Sequence, residues 1–66
     1  MIVTVNGKKN ELSEGTSIVM LLNQYNIGNP MTIVEINGCV VQKSNWESHI
    51  IHADDKIEII QLMGGG

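Results

Sequence analysis

The chain has 66 residues, which is enough for one domain and too few for a second. Seven acidic residues against four basic ones give a net charge of -3, and this disfavours nucleic-acid binding because neutralising phosphates needs surplus cations. No apolar run approaches the ~20 residues of a membrane span, and Met1–Val5 lacks the features of a signal peptide. A single cysteine allows no intrachain disulfide, which favours a reducing compartment. Together these features predict a cytoplasmic protein that binds neither nucleic acid nor a membrane.

The first part of the chain predicts a β-hairpin followed by a helix. Residues 2–6 are mostly β-branched and end at Asn6-Gly7, a pair that favours a tight turn, and residues 8–12 form a polar returning strand at an edge. Thr16 or Ser17 can then cap a helix through its hydroxyl. The helix carries one apolar stripe, formed by Ile18, Leu21, Leu22 and Tyr25.

The second part predicts another hairpin, a helical turn and a last strand. Residues 32–36 and 39–41 are the two strands of this hairpin, joined at Asn37-Gly38. Ser44 can cap a short turn that places Trp46 over the core, and residues 56–62 form the last strand. The elements predict an α+β roll in which a sheet of about five strands packs on one helix, with the last strand near the first.

The sequence contains a candidate nucleophile and a candidate metal site, and the surrounding residues favour neither. Cys39 could be a nucleophile, but no Lys, Arg or His lies near it in sequence to activate the thiol. His49 and His52 could share a helical face and bind a metal with Asp54 or Asp55. We expect instead a small strand residue and two surface histidines. A domain this small also has little room for the usual ~300–1,000 Å³ pocket, which favours a carrier or binding module over an enzyme.

The last strand has an irregular apolar pattern. Ile57 and Ile59 alternate with polar residues and are predicted to face the core. Ile60 and Leu62 would then lie on the opposite face and form an apolar docking patch. The alternative is a β-bulge, or a terminal residue that folds back into the core.

The sequence ends in a glycine run, Gly64-Gly65-Gly66. Glycine has no side chain to clash, so such an arm can enter a channel too narrow for other residues. From Leu62 to Gly66 an extended arm reaches roughly 13 Å, at ~3.3 Å per residue. The run therefore predicts either a carboxyl group presented to another protein's active site or a frayed or cloning-derived end.

Nearly the whole chain resembles the ThiS family, the small sulfur carrier proteins of thiamine thiazole synthesis in the ubiquitin-like superfamily that also includes MoaD. The similar stretches are Ile2–Gly7, Glu14–Ser17 leading to Leu21-Leu22, Val34–Gly38, Val40-Val41 followed by Trp46, and Asp55–Ile59 before the glycine end. The resemblance implies one β-grasp domain over residues 1–66, in which residues 63–66 are a flexible tail. Here Met63 precedes three glycines where the family usually has two after an apolar residue.

The resemblance also implies a function that needs partners. An E1-like (ThiF-like) adenylyltransferase would use ATP to activate the carboxylate of Gly66, and a sulfur donor such as a cysteine desulfurase would convert it to a thiocarboxylate. A thiazole synthase (ThiG-like) would then take the sulfur. The chain would be a protein cosubstrate with no bound cofactor or metal, and not an enzyme. Its partner-binding residues would be Ile60, Leu62, Met63, Gly64 and Gly65.

Two other functions remain open on the sequence. The first keeps the fold and changes the pathway, making the chain the small subunit of molybdopterin synthase or another thiocarboxylate donor. The second is a plain interaction module or a ubiquitin-like modifier of other proteins. Deletion of Gly65 and Gly66 separates the carrier from a module that works through its sheet, because only the carrier would lose activity.

Overall fold

A computed structural model describes residues 1–61 of the chain. The described part contains five strands, one α-helix and one short 3-10 helix, in the predicted order. They are β1 (Ile2–Val5), β2 (Lys8–Glu11), α1 (Ile18–Gln24), β3 (Thr32–Ile36), β4 (Cys39–Val41), the 3-10 helix (Lys43–Asn45) and β5 (Lys56–Gln61). No helix among these residues has the length and apolar character needed to cross a membrane.

The five strands form one mixed sheet in the order β2-β1-β5-β3-β4. The two hairpins, β1 with β2 and β3 with β4, are antiparallel and flank β5 on either side. β5 runs parallel to β1 and antiparallel to β3, so the last strand lies at the centre of the sheet beside the first. The predicted β-grasp roll, with its mixed sheet of about five strands on one helix, is confirmed.

The core lies between the inner face of the sheet and the helix. Strand residues alternate between the two faces, and the inner positions are apolar and buried. The largest fully buried side chains include Ile18 and Leu21 of α1 and Val34 and Ile57 of the central strands. The inward-facing apolar side chains of the strands and the apolar stripe of α1 therefore pack together in a single layer.

α1 begins where the sequence predicts and ends earlier than its stripe suggests. Ser17 is the N-cap, and its side chain accepts a hydrogen bond from the Met20 amide at 3.2 Å. At the other end Asn26 has a φ of 56°, and the Ile27 amide donates to the Leu22 carbonyl at 2.9 Å, as in a Schellman cap. Tyr25 is the C-cap and 40% exposed, so its predicted place in the buried stripe is wrong.

Trp46 closes the core as predicted, but Ser44 is not the cap of the turn before it. The 3-10 helix follows Gln42, with no side-chain cap, and Ser44 lies inside it. Trp46 is buried, and its Nε1 donates to the Val41 carbonyl at 2.9 Å. Its own carbonyl accepts from the Val19 amide at 3.2 Å, so this residue joins β4 to the helix.

The turn before β5 places Asp54 in a left-handed conformation, with a φ of 69°. Asp tolerates this region better than most residues, while glycine adopts it freely. We expect Asp54→Ala to lower the free energy of unfolding by about 1 kcal/mol relative to Asp54→Gly. Thermal denaturation of both variants measures the difference, and an alanine variant as stable as the glycine variant would contradict the strain.

Thr32 is buried at the start of β3, and its hydroxyl has no hydrogen-bond partner among the described residues. A buried polar group without a partner is destabilising, and valine has nearly the same shape. Thr32→Val is therefore expected to raise the free energy of unfolding by about 1 kcal/mol. Thr4→Val is the control, because half-buried Thr4 lies on the outer face of the sheet. An equal gain in both variants would show that valine's strand preference alone is responsible.

Candidate functional site

β5 lies at the centre of the sheet and is the last described element before the glycine run in the sequence. It pairs with β1 on one side and with β3 on the other, and it ends at Gln61. The predicted site residues Leu62, Met63, Gly64, Gly65 and Gly66 lie outside the described residues. The described part of the candidate site is the strand that precedes them and the surface around that strand.

Two asparagine side chains attach β5 to its neighbours. The Ile59 amide donates to Asn6 Oδ1 at 2.7 Å, across 53 positions of sequence. The Lys56 amide donates to Asn37 Oδ1 at 2.9 Å, and Asn37 Nδ2 donates to Asp55 Oδ1 at 3.0 Å. Both asparagines have a φ near +50°, which the two Asn-Gly turns predict. These bonds hold the strand at its start and again two residues before its end.

The register of β5 against β3 is regular up to Gln61. Val34 lies opposite Ile59 and Ile33 opposite Ile60, and no residue is inserted between them. Ile59 is buried, whereas Ile60 lies on the outer face and is 40% exposed. The predicted orientation of Ile60 is thus confirmed, and the alternative of a bulge there is wrong. The binding role of Ile60 stays a prediction.

The outer face around Ile60 contains a feature that the sequence analysis did not identify. Glu35 and Glu58 lie directly opposite each other on β3 and β5, one row further along the strands from Ile33 and Ile60. On the next strand Val40 lies opposite Glu35 and is 62% exposed. The outer face here is an acidic pair bordered by apolar side chains. Only the register of the folded sheet brings them together.

The other candidate residues are not brought together. Residues 49–51 run extended beside the start of α1, so His49 and His52 do not share a helical face. Among residues 1–61 no three His, Cys, Asp or Glu side chains are grouped as a metal site requires. Cys39 is exposed at the start of β4.

A shallow cavity lies at the start of β1. It is bordered by Met1, the turn at residues 14–15 and residues 50–53, where β1 and β5 begin. Its volume of about 180 Å³ is below the ~300–1,000 Å³ of common small-molecule sites.

This chain is similar, over all or nearly all of its length, to one solved structure and to two other sequences. The crystal structure of the thiamine biosynthesis protein ThiS from Geobacter metallireducens superposes with a TM-score of 0.84 and 29% identity, covering 100% of both chains. An uncharacterized ycf40 protein of Trieres chinensis is 32% identical over 62 residues, which is 94% of this chain and 85% of that protein. A thiazole synthase of Paramagnetospirillum magneticum is 29% identical over 66 residues, all of this chain and 20% of that protein.

The family model agrees with the fold and with the residues on which the resemblance was based. The ThiS family model matches residues 3–66, from the second residue of β1 through the glycine run. This chain belongs to the ThiS family.

Proposed function

We propose that this chain is the sulfur carrier of thiazole formation in thiamine biosynthesis, and that it carries the sulfur as a thiocarboxylate on Gly66. The observation that carries the proposal is the family match over residues 3–66, which includes the glycine run that follows the central strand. The similarity to a thiamine biosynthesis protein and to a thiazole synthase supports the thiazole pathway over molybdopterin synthesis. The chain itself would act as a cosubstrate.

Activation is needed because a carboxylate is a poor electrophile. In the proposed first step, a carboxylate oxygen of Gly66 attacks the α-phosphorus of ATP on an E1-like (ThiF-like) partner, and pyrophosphate leaves. In the second step a sulfur nucleophile attacks the acyl carbon, a C–S bond forms and AMP leaves. Hydrosulfide gives the thiocarboxylate directly. A persulfide from a cysteine desulfurase gives an acyl disulfide, which a second thiol cleaves to thiocarboxylate and a new disulfide.

The carrier would contribute position and access in this scheme, and its partner would contribute the catalytic groups. The described residues hold no grouped metal ligands, and β5 is fixed between two strands immediately before residues 62–66. Glycines without side chains suit passage through a narrow channel toward ATP. A thiazole synthase (ThiG-like) would then receive the sulfur from the same carboxyl group.

Intact mass spectrometry tests the proposal. The chain is incubated with its E1-like enzyme, ATP and a sulfur donor, and a mass increase equal to the exchange of one oxygen for one sulfur is expected. The Cys39→Ser variant is the matched control, because Cys39 is the single cysteine and could hold sulfur as a persulfide. Loading should persist in this variant. Absence of the mass change with an enzyme that is active on another carrier, or its loss in Cys39→Ser, would overturn the proposal.

A further inference from the structure

The outer face of the sheet carries two carboxylates at one cross-strand position. Ile59 directs its amide toward β1, where it bonds to Asn6 Oδ1, so the flanking residues of β5 direct theirs toward β3. Glu58 and Glu35 are therefore a hydrogen-bonded pair of an antiparallel ladder, with Cα atoms about 5.5 Å apart. Both side chains lie on the same face and both are half-buried.

This arrangement is unfavourable in the free protein. Like charges directly opposite each other on neighbouring strands destabilise a sheet, and half-burial weakens the screening by water. Lys56 lies on the same face two residues before Glu58, yet within residues 1–61 no ion pair joins it to either carboxylate. Within the described part of the chain, both carboxylates therefore lack an ion-pair partner.

The side chains around the pair are those of a contact surface. Ile33 and Ile60 lie opposite each other in the next row toward the end of β5, and Val40 lies beyond Glu35 on β4. Val40 is 62% exposed and Ile60 is 40% exposed. A partner that covers these apolar groups would also cover the two carboxylates, and burying the carboxylates without cations would be costly. The surface therefore fits a partner with cationic side chains beside an apolar patch.

We propose that Glu35 and Glu58 bind two cationic side chains, arginine by preference, on the enzyme that adenylates the tail. The inference rests on the proposed function and adds the chemistry by which that partner recognises the carrier. Arginine suits each position because its planar guanidinium can donate two charge-assisted hydrogen bonds to one carboxylate. Gly66 follows Glu58 by eight residues, so an extended chain could place its carboxyl group up to roughly 26 Å from the docking point.

The test is steady-state adenylation of the full chain by its E1-like enzyme, measured as pyrophosphate release. The double variant Glu35→Gln/Glu58→Gln keeps the shape of both side chains and removes both charges. We expect its KM to rise about 10-fold with kcat unchanged, and the salt dependence of kcat/KM to become weaker. Its Tm in the absence of the enzyme should rise by roughly 1–5 °C, because the repulsion has gone.

A matched control distinguishes the effect of these two positions from the effect of net charge alone. Glu14→Gln/Glu47→Gln removes two charges at exposed positions outside the strands. Its KM should remain within about twofold of wild type, because long-range steering is screened by salt. An equal rise in both variants, or no rise in either, overturns the docking role of the pair. A lower Tm of the Glu35/Glu58 variant also overturns it, because it would show a structural role. If the wild-type chain is not adenylated at all, the proposed function fails and this inference fails with it.

Discussion

Deletion of Gly65 and Gly66 is expected to abolish thiocarboxylate formation and to leave the folded domain intact. The deletion removes the proposed acyl carrier and shortens the arm by roughly 7 Å, so the new terminus would not reach the nucleotide. The sheet should not be affected, because β5 ends at Gln61 and its anchors, Asn6 and Asn37, lie in the two hairpin turns. Intact mass after the loading reaction measures the loss, and thermal denaturation measures the fold.

A variant that keeps Gly66 distinguishes the passage of the arm through a channel from the reaction at the terminal carboxyl group. Gly65→Ala retains Gly66 and adds one methyl group to the arm, so it should be loaded more slowly if a narrow channel selects glycine. Efficient loading of the variant that lacks Gly65 and Gly66 would contradict the role of the terminal residue. A large drop in the Tm of that variant would show that the glycine run is part of the fold.

Trp46→Ala is expected to leave most of the chain unfolded at 25 °C. Trp46 is 8% exposed, and removing so large a buried side chain costs ~3–5 kcal/mol through lost burial and the cavity left behind. A single core in a domain of this size provides about 3–5 kcal/mol in total. The hydrogen bonds of Trp46 to Val41 and Val19 place it between the second hairpin and the helix. We therefore expect the hairpin and the helix to lose their packing against each other in the same unfolding transition.

Trp46→Phe serves as the milder comparison. It keeps an aromatic ring in the core and loses the Nε1 hydrogen bond to the Val41 carbonyl, which should cost about 1–2 kcal/mol. It also weakens the contact with Lys43, whose Nζ lies 5.6 Å from the ring centroid. Far-UV circular dichroism and thermal denaturation measure both variants. An alanine variant that melts within a few degrees of wild type would contradict the role of Trp46 in the core.

The sequence predicts the elements of this fold well because their signals are local. The two Asn-Gly turns, the Ser17 cap and the alternation of residues 32–36 each act within a few positions, and each is found as predicted. The predicted stripe includes Tyr25, one position too many, because apolar spacing does not show that the helix ends at Gln24 and that Tyr25 is its exposed C-cap. The helix terminates where Asn26 turns left-handed, which side-chain periodicity alone does not specify.

The surface beside β5 could be predicted only in part. The exposure of Ile60 follows from the period of two within its own strand, and the structure confirms it. The pairing of Glu35 with Glu58 depends on the register between strands that are 23 positions apart, and no short-range pattern specifies that register. The hydrogen bond from the Ile59 amide to Asn6 could not be predicted from the sequence for the same reason. Contacts set by tertiary register therefore account for what was missed.

The most direct test is to locate the sulfur after the loading reaction by fragmenting the chain in a tandem mass spectrometer. The proposed function predicts that sulfur replaces one oxygen of the carboxyl group of Gly66, and that the fragment containing Cys39 keeps its original mass. Sulfur found on Cys39, or a C-terminal fragment with unchanged mass in a chain shown to carry sulfur, would contradict it.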